Sequence, residues 1–285
     1  MQQRRLPADD AEDAVDSSSD AAFGGLIAAL YEQRLVPLIF EPYAGDLATR
    51  AEALRPGRVL EIAAGTGVVT RRLARLLPAD VEIVATDLNV PMLDQATAIG
   101  TTRTVQWRQA DAMQLPFDDA SFDLVVCQHG VMFFPDRRKA YMEARRVLKP
   151  GGTLLFNAWD RIEHNQFADV VTNALAAVFP DDPPRFLARV PHGYYDKGVI
   201  AAELAAAGFA APRIETLAAR SRADTARIPA IAYCQGTPLR NEIATRDPAR
   251  MAEATQAATD AIARRFGDGP VNGKIQAHVV QVAKP

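Results

Sequence analysis

Apolar positions recur at helical spacing near the start of the chain, through Phe23, Leu26, Ile27, Leu30 and Tyr31. They predict a helix that reaches Val36, where Pro37 is expected to interrupt it. A second helix is expected over residues 42–54. After Arg55-Pro56-Gly57 the run Val59-Leu60-Glu61-Ile62 has the short, almost wholly apolar character of a buried strand entering a glycine turn. Strand-like and helix-like stretches then alternate, with strands expected over 81–86, 104–108, 122–127 and 152–159 and helices over 69–77, 91–99 and 137–148. That order predicts an α/β fold: a doubly wound, Rossmann-like, mostly parallel sheet with helices on both faces.

Beyond Trp159 the pattern changes. Four prolines (Pro180, Pro183, Pro184, Pro191) surround one helical stretch, 167–179, so residues 160–196 read as an insertion. A helix over 197–207 ended by Gly208, a strand over 213–217, a helical stretch over 229–266 and a last strand over 274–282 follow. The expected organisation is a leader over residues 1–21 and one domain over 22–285. Within that domain the ligand-holding core is 59–159, and a cap is drawn from 22–54, 160–196 and 221–270.

Composition narrows the function classes. At 285 residues, 48% hydrophobic and 24% charged, the chain is an ordinary globular one. Lys+Arg 32 against Asp+Glu 35 leaves a net charge of -3, no field for nucleic acid or anionic lipid. Two cysteines, Cys127 and Cys234, are too few for a disulfide scaffold or a tetrahedral metal cluster, so no metal is expected. No apolar run reaches the roughly 18–20 residues of a membrane span. The first twenty residues lack a signal peptide's apolar stretch, so a cytoplasmic location is expected. A homodimer is left open.

The chemistry concentrates at strand ends. In Ala63-Ala64-Gly65-Thr66-Gly67 the glycines let a ligand approach the backbone, and the helix that follows points its free amides there. A dinucleotide fingerprint wants a third glycine where Thr70 stands, which weakens a nicotinamide or flavin reading. Asp87, at the end of the second strand, has the reach to accept from both hydroxyls of a ribose. Asp111, beside Ala112, can accept from an adenine amino group. Cys127-Gln128-His129-Gly130 ends the fourth strand, where open parallel sheets bind ligands.

The ordered set Leu60-Glu61-Ile62-Ala63-Ala64-Gly65-Thr66-Gly67, Thr86-Asp87, Gln109-Ala110-Asp111-Ala112, Phe122-Asp123-Leu124-Val125-Val126 and Val147-Leu148-Lys149-Pro150-Gly151-Gly152 resembles the successive motifs of class I S-adenosylmethionine-dependent methyltransferases. Within that family it is similar to the type 11 or UbiE-like small-molecule branch, over residues 59–159. The resemblance implies a seven-stranded sheet closed by an antiparallel hairpin, for which 213–217 and 274–282 are the strands. It implies that Glu61, Ala63, Gly65 and Gly67 hold the amino-acid end of S-adenosylmethionine, and that Asp87 takes the ribose. Leu88, Met92, Asp111 and Ala112 surround the adenine, and Gln128 and His129 flank the sulfonium. Ala63 stands where the family has a glycine, and is expected to fit with a negative φ.

A hydroxyl or amine acceptor needs its proton removed, and His129 is the candidate base or orienting group. His164, His192 and Tyr194 in the cap are candidate acceptor-binding residues, and Tyr31 and Phe40 a candidate lid. The leading reading is methyl transfer to a small organic acceptor, a specialised metabolite, leaving S-adenosylhomocysteine. Two alternatives stand beside it: a cyclisation or elimination that keeps the cofactor without transferring its methyl group, and a nucleotide-binding oxidoreductase.

Overall fold

The structure, a computed structural model, describes Gly25 and residues 27–285. The expected leader, and Phe23 and Leu26 of the first helix, lie outside the described residues. Seven strands form one sheet: β1 Arg58–Glu61, β2 Glu82–Asp87, β3 Gln106–Gln109, β4 Phe122–Gln128, β5 Leu148–Trp159, β6 Arg213–Ala223 and β7 Val271–Ala283. Their order is β3-β2-β1-β4-β5-β7-β6. The first five run parallel, and β7 lies antiparallel between β5 and β6. The order reverses between β1 and β4, the crevice where such sheets take ligands.

Burial explains the strand sequences. Six of the seven residues of β4 are buried, as a central parallel strand covered on both faces requires. At the edge, β6 alternates between exposed and more covered positions. Its antiparallel register with β7 runs from Arg213↔Gln281 to Ala223↔Val271, well past the expected end at Leu217. Ala218-Ala219 in isolation reads as helix, and pairing with β7 overrides that preference.

Two helical expectations change. Pro37 does not interrupt the first helix: Tyr31–Phe40 is π-helical and continues directly into the helix Glu41–Ala53. The wider π turn gives the pyrrolidine ring room that an α-helix denies it at the preceding turn. The stretch 229–266 is three helices, Arg227–Gly236, Leu239–Arg246 and Met251–Phe266. Thr237-Pro238 and Asp247-Pro248 divide them, because the residue before a proline is driven out of the helical region. Thr237 and Asp247 are accordingly extended.

The added segments lie against the sheet's second half. The helix Gln166–Val178 packs on Met251–Phe266, where Phe167 meets Phe266 edge-on at 5.0 Å. Arg227–Gly236 packs on the π-helical segment, with Gly236 close to Leu30 and Leu35. Cys127 and Cys234 are free, and burial pushes both thiols up to about 12. No helix among the described residues is long and apolar enough to cross a membrane.

Candidate active site

The β1 turn is built by backbone that bends back over the sheet. Ala63, Gly65 and Gly67 have φ of 52°, 56° and 82°. The expected negative φ at Ala63 is therefore corrected: a residue with a Cβ occupies the left-handed region. Gly130 in the β4 loop runs so close above it that a Cβ there would lie 2.6 Å from the Ala63 Cβ. Gly67 is required for a second reason, since a Cβ on it would lie 2.7 Å from the indole of Trp107 on β3.

Two carboxyl groups frame this turn. Glu61 is 1% exposed and accepts a 2.6 Å hydrogen bond from Thr70 Oγ1. Burial pushes its carboxyl up to about 8, against the lowering effects of Thr70 and Arg71. Thr70, the departure from the dinucleotide fingerprint, thus serves Glu61 directly. Asp87 accepts from Gly65 N at 2.8 Å on one oxygen and from Asn89 N at 2.8 Å on the other. Burial also holds its carboxyl above the ordinary range, although the backbone amides pull the other way. Among the described residues no salt bridge reaches either group.

Past Asp87 the site opens. Leu88 is 60% exposed, and Met92 and Ala112 are half-buried. Asp111 folds its carboxylate back on Met113 N at 2.8 Å, which fixes the loop after β3. On the opposite side the π-helical segment covers the turn. Tyr31 lies against Gly65, and Glu32 accepts from Thr66 Oγ1 at 2.5 Å and pairs with Arg71 at 2.7 Å.

At the ends of β4 and β5 the lining is aromatic and uncharged. His129 lies flat on Trp159, with ring centroids 3.7 Å apart and planes 4° from parallel. Tyr43 stands edge-on to both at 5.3 Å, and Phe40 is 5.8 Å from His129. Asn157 Oδ1 accepts from His129 N at 2.8 Å, and Gln128 Nε2 donates to Phe40 O at 3.3 Å. The remaining polar atoms, Gln128 Oε1, Asn157 Nδ2 and both ring nitrogens of His129, are buried without a partner among the described residues. Burial, reinforced by nearby His192, holds His129 well below its ordinary pKa, so the ring is neutral.

The cap candidates separate. His192 is 5.9 Å from Trp159 and binds Asp160 O through Nδ1 at 2.8 Å, so it adjoins this cluster. His164 does not: its ring is 2.9 Å from the Asp160 carboxylate, beyond the end of β5. Tyr194 is drawn away, its hydroxyl engaged with Tyr141 at 3.1 Å and Glu203 at 2.6 Å and its ring under Arg137. Its aromatic character suggested a pocket wall, but these polar partners use it to join the helices Arg137–Val147 and Lys197–Ala206. Sequence reasoning passed over Asn157 and Trp159. Asn157 had left a signal, a polar residue inside an apolar strand.

Comparison with known proteins bears on this arrangement. A family model described as a methyltransferase domain matches residues 60–156. The UbiE ubiquinone/menaquinone biosynthesis C-methyltransferase of Teredinibacter turnerae is 43% identical over 107 residues, 36% of this chain and 43% of that protein. The UbiE of Ectopseudomonas mendocina is 34% identical over 170 residues, 55% and 66% of the two chains. The matched stretch thus spans 43% of the length of the first of these relatives and 66% of the second. Among solved structures, YcgJ of Bacillus subtilis aligns at TM-score 0.53 and 22% identity over 85% of this chain and 97% of its own. The [4+2]-cyclase SpnF aligns at 0.51 and 21%, over 85% and 79%. Those two likenesses speak to the fold alone. Residues 60–156 thus carry a methyltransferase domain similar to that of the class I S-adenosylmethionine-dependent enzymes.

Proposed function

We propose that this protein transfers the methyl group of S-adenosylmethionine to a small organic acceptor, a specialised metabolite. The observation that carries the reading is the pair of buried carboxyl groups, Glu61 and Asp87, on a glycine turn, neither of which forms a salt bridge among the described residues. A buried carboxyl without a counter-charge is costly, and a ligand bearing one ammonium and two vicinal hydroxyls supplies what both lack. Each Asp87 oxygen accepts from a backbone amide, and in this reading the carboxylate also accepts from the ribose hydroxyls. In this reading Glu61 with the Ala63, Gly65 and Gly67 turn takes the ammonium end. Leu88, Met92, Asp111 and Ala112 flank the adenine, and Gln128 adjoins the sulfonium.

Bound there, the sulfonium supplies an activated methyl group with a neutral thioether as leaving group. The chain's part is to align the acceptor, exclude water and receive hydrogen bonds from it. His129 has the position and the unpartnered nitrogens for the orienting role, in which its neutral ring can both donate and accept a hydrogen bond. His192 is the second imidazole within reach. The similarity of the curated relatives to this chain supports transfer, while the fold shared with a cyclase keeps non-methylating chemistry as the alternative outcome. Calorimetry with S-adenosylmethionine and with NAD tests the reading. Saturable binding of the first and none of the second is expected, and the reverse overturns it.

A further inference from the structure

We propose that Tyr31 and Glu32 fill the cofactor crevice of the free protein, and that S-adenosylmethionine binds by displacing them; this rests on the methyl-transfer reading above. Arg71 and Thr66 then pass from the Glu32 carboxylate to the α-carboxylate of the cofactor. A Cβ on Gly65 would lie 3.6 Å from the Tyr31 hydroxyl and 3.8 Å from its ring, so the phenol covers the turn at the point that glycine leaves open. Phe40 stacks on the same phenol, with ring centroids 5.0 Å apart. Burial, and then the charge of Asp87, raise the Tyr31 pKa, so its hydroxyl lies beside the carboxylate proposed for the ribose.

One residue on, Glu32 brings a carboxylate to the other end of the turn. Its two oxygens accept from Thr66 Oγ1 at 2.5 Å and from Arg71 Nη2 at 2.7 Å, while Arg71 Nη1 donates to Thr66 O at 2.6 Å. S-adenosylmethionine carries an α-carboxylate beside its ammonium, and Arg71 is near enough to Glu61 to lower that carboxyl's pKa. Ammonium on Glu61 and carboxylate on Arg71 therefore suit one zwitterion. Both partners of the present pair are largely covered, with side chains 16% and 19% exposed. Exchanging one carboxylate for another keeps Arg71 paired, which simple loss of Glu32 would not.

The local backbone lets these side chains leave. In a π-helix each carbonyl accepts from the N–H five residues on, and Pro37 has none to give to Glu32. Leu35, Val36 and residues 38–40 are buried and anchor the rest of the segment, whereas the first turn, residues 31–34, is half-buried or exposed.

Calorimetric titration of the full chain with S-adenosylhomocysteine, and with adenosine, which lacks the carboxylate, tests this on three variants. Glu32→Gln and Tyr31→Ala are each expected to bind S-adenosylhomocysteine at least fivefold more tightly than the parent. Arg71→Met should bind it at least fivefold more weakly, and bind adenosine no more weakly than the parent does. Circular dichroism checks folding, and either of the first two variants suffices if the other does not fold. Equal or weaker binding of S-adenosylhomocysteine by a folded Glu32→Gln or Tyr31→Ala means that the side chain supports the bound ligand, and overturns the proposal. So does an Arg71→Met that loses adenosine as strongly as S-adenosylhomocysteine, or loses neither. Absence of saturable binding to the parent and to every variant is a separate result, which overturns the methyl-transfer reading and this proposal with it.

Discussion

The imidazole of His129 and the indole of Trp159 form a parallel stack, 3.7 Å between centroids, that joins the end of β4 to the end of β5. His129 enters it from a left-handed backbone, φ 49°, and the Asn157 carboxamide on the neighbouring strand holds its amide. The ring is thus fixed by stacking and by its backbone, while neither nitrogen has a partner among the described residues. That combination is unusual for a buried histidine, which ordinarily has its polar atoms satisfied.

A first consequence concerns protonation. His129 is expected to show no titration from about pH 5 to 8, the range in which an unperturbed imidazole changes charge. Trp159→Leu removes the stack, and its His129 should titrate closer to the ordinary value. The same variant should lose roughly 3 kcal/mol of stability. NMR titration of the four histidines checks the first point and chemical denaturation the second. A wild-type His129 midpoint near the ordinary value of 6.5 contradicts the account.

A second concerns the turn. Left-handed backbone costs a residue with a Cβ about 1–2 kcal/mol, and glycine gives back part of this through the flexibility of the unfolded chain. Ala63→Gly is therefore expected to stabilise by roughly 0.5 kcal/mol. Gly130→Ala places a Cβ against Ala63 and the Cys127 thiol and should destabilise clearly. Combining the two should recover part of that loss, and a double-mutant cycle by denaturation measures the recovery. Strict additivity would show that the two loops do not meet as described.

A third concerns pH. The Glu61 carboxyl is raised in the fold to about 8 from an ordinary 4.5. A raised carboxyl favours the fold while protonated, so its contribution is fully present below about 4.5, declines as pH rises, and is gone above about 8. Glu61→Gln stays neutral throughout. The stability of the variant relative to the parent should therefore climb between those limits. Thermal unfolding at intervals across that window reads the difference, and a flat difference contradicts the assignment. The same substitution should weaken S-adenosylmethionine binding, which separates a liganding residue from a merely buried one.

The proposed cofactor half of the site could be placed from the sequence because its residues lie at strand ends in fixed order. Glu61, Gly65, Gly67, Asp87 and Gln128 need only the strand assignments to be placed. What it hid depends on contacts across the fold. The sign of φ at Ala63 follows from Gly130 passing above it, and the loss of Tyr194 to Tyr141 and Glu203 follows from helix packing. The π-helical passage through Pro37 has no local signature, since proline alone argues for a break. The stack on Trp159 pairs residues thirty positions apart on parallel neighbours, and apolar periodicity does not report which rings will face each other.

In the proposed function Asp87 and the glycine turn hold the nucleoside of S-adenosylmethionine. Calorimetric titration of S-adenosylhomocysteine into the parent and into Asp87→Ala tests it most directly. One-site, saturable binding to the parent is expected, and at least tenfold weaker binding to a variant that remains folded by circular dichroism. Equal affinity for the two proteins, or no saturable binding to the parent, contradicts it.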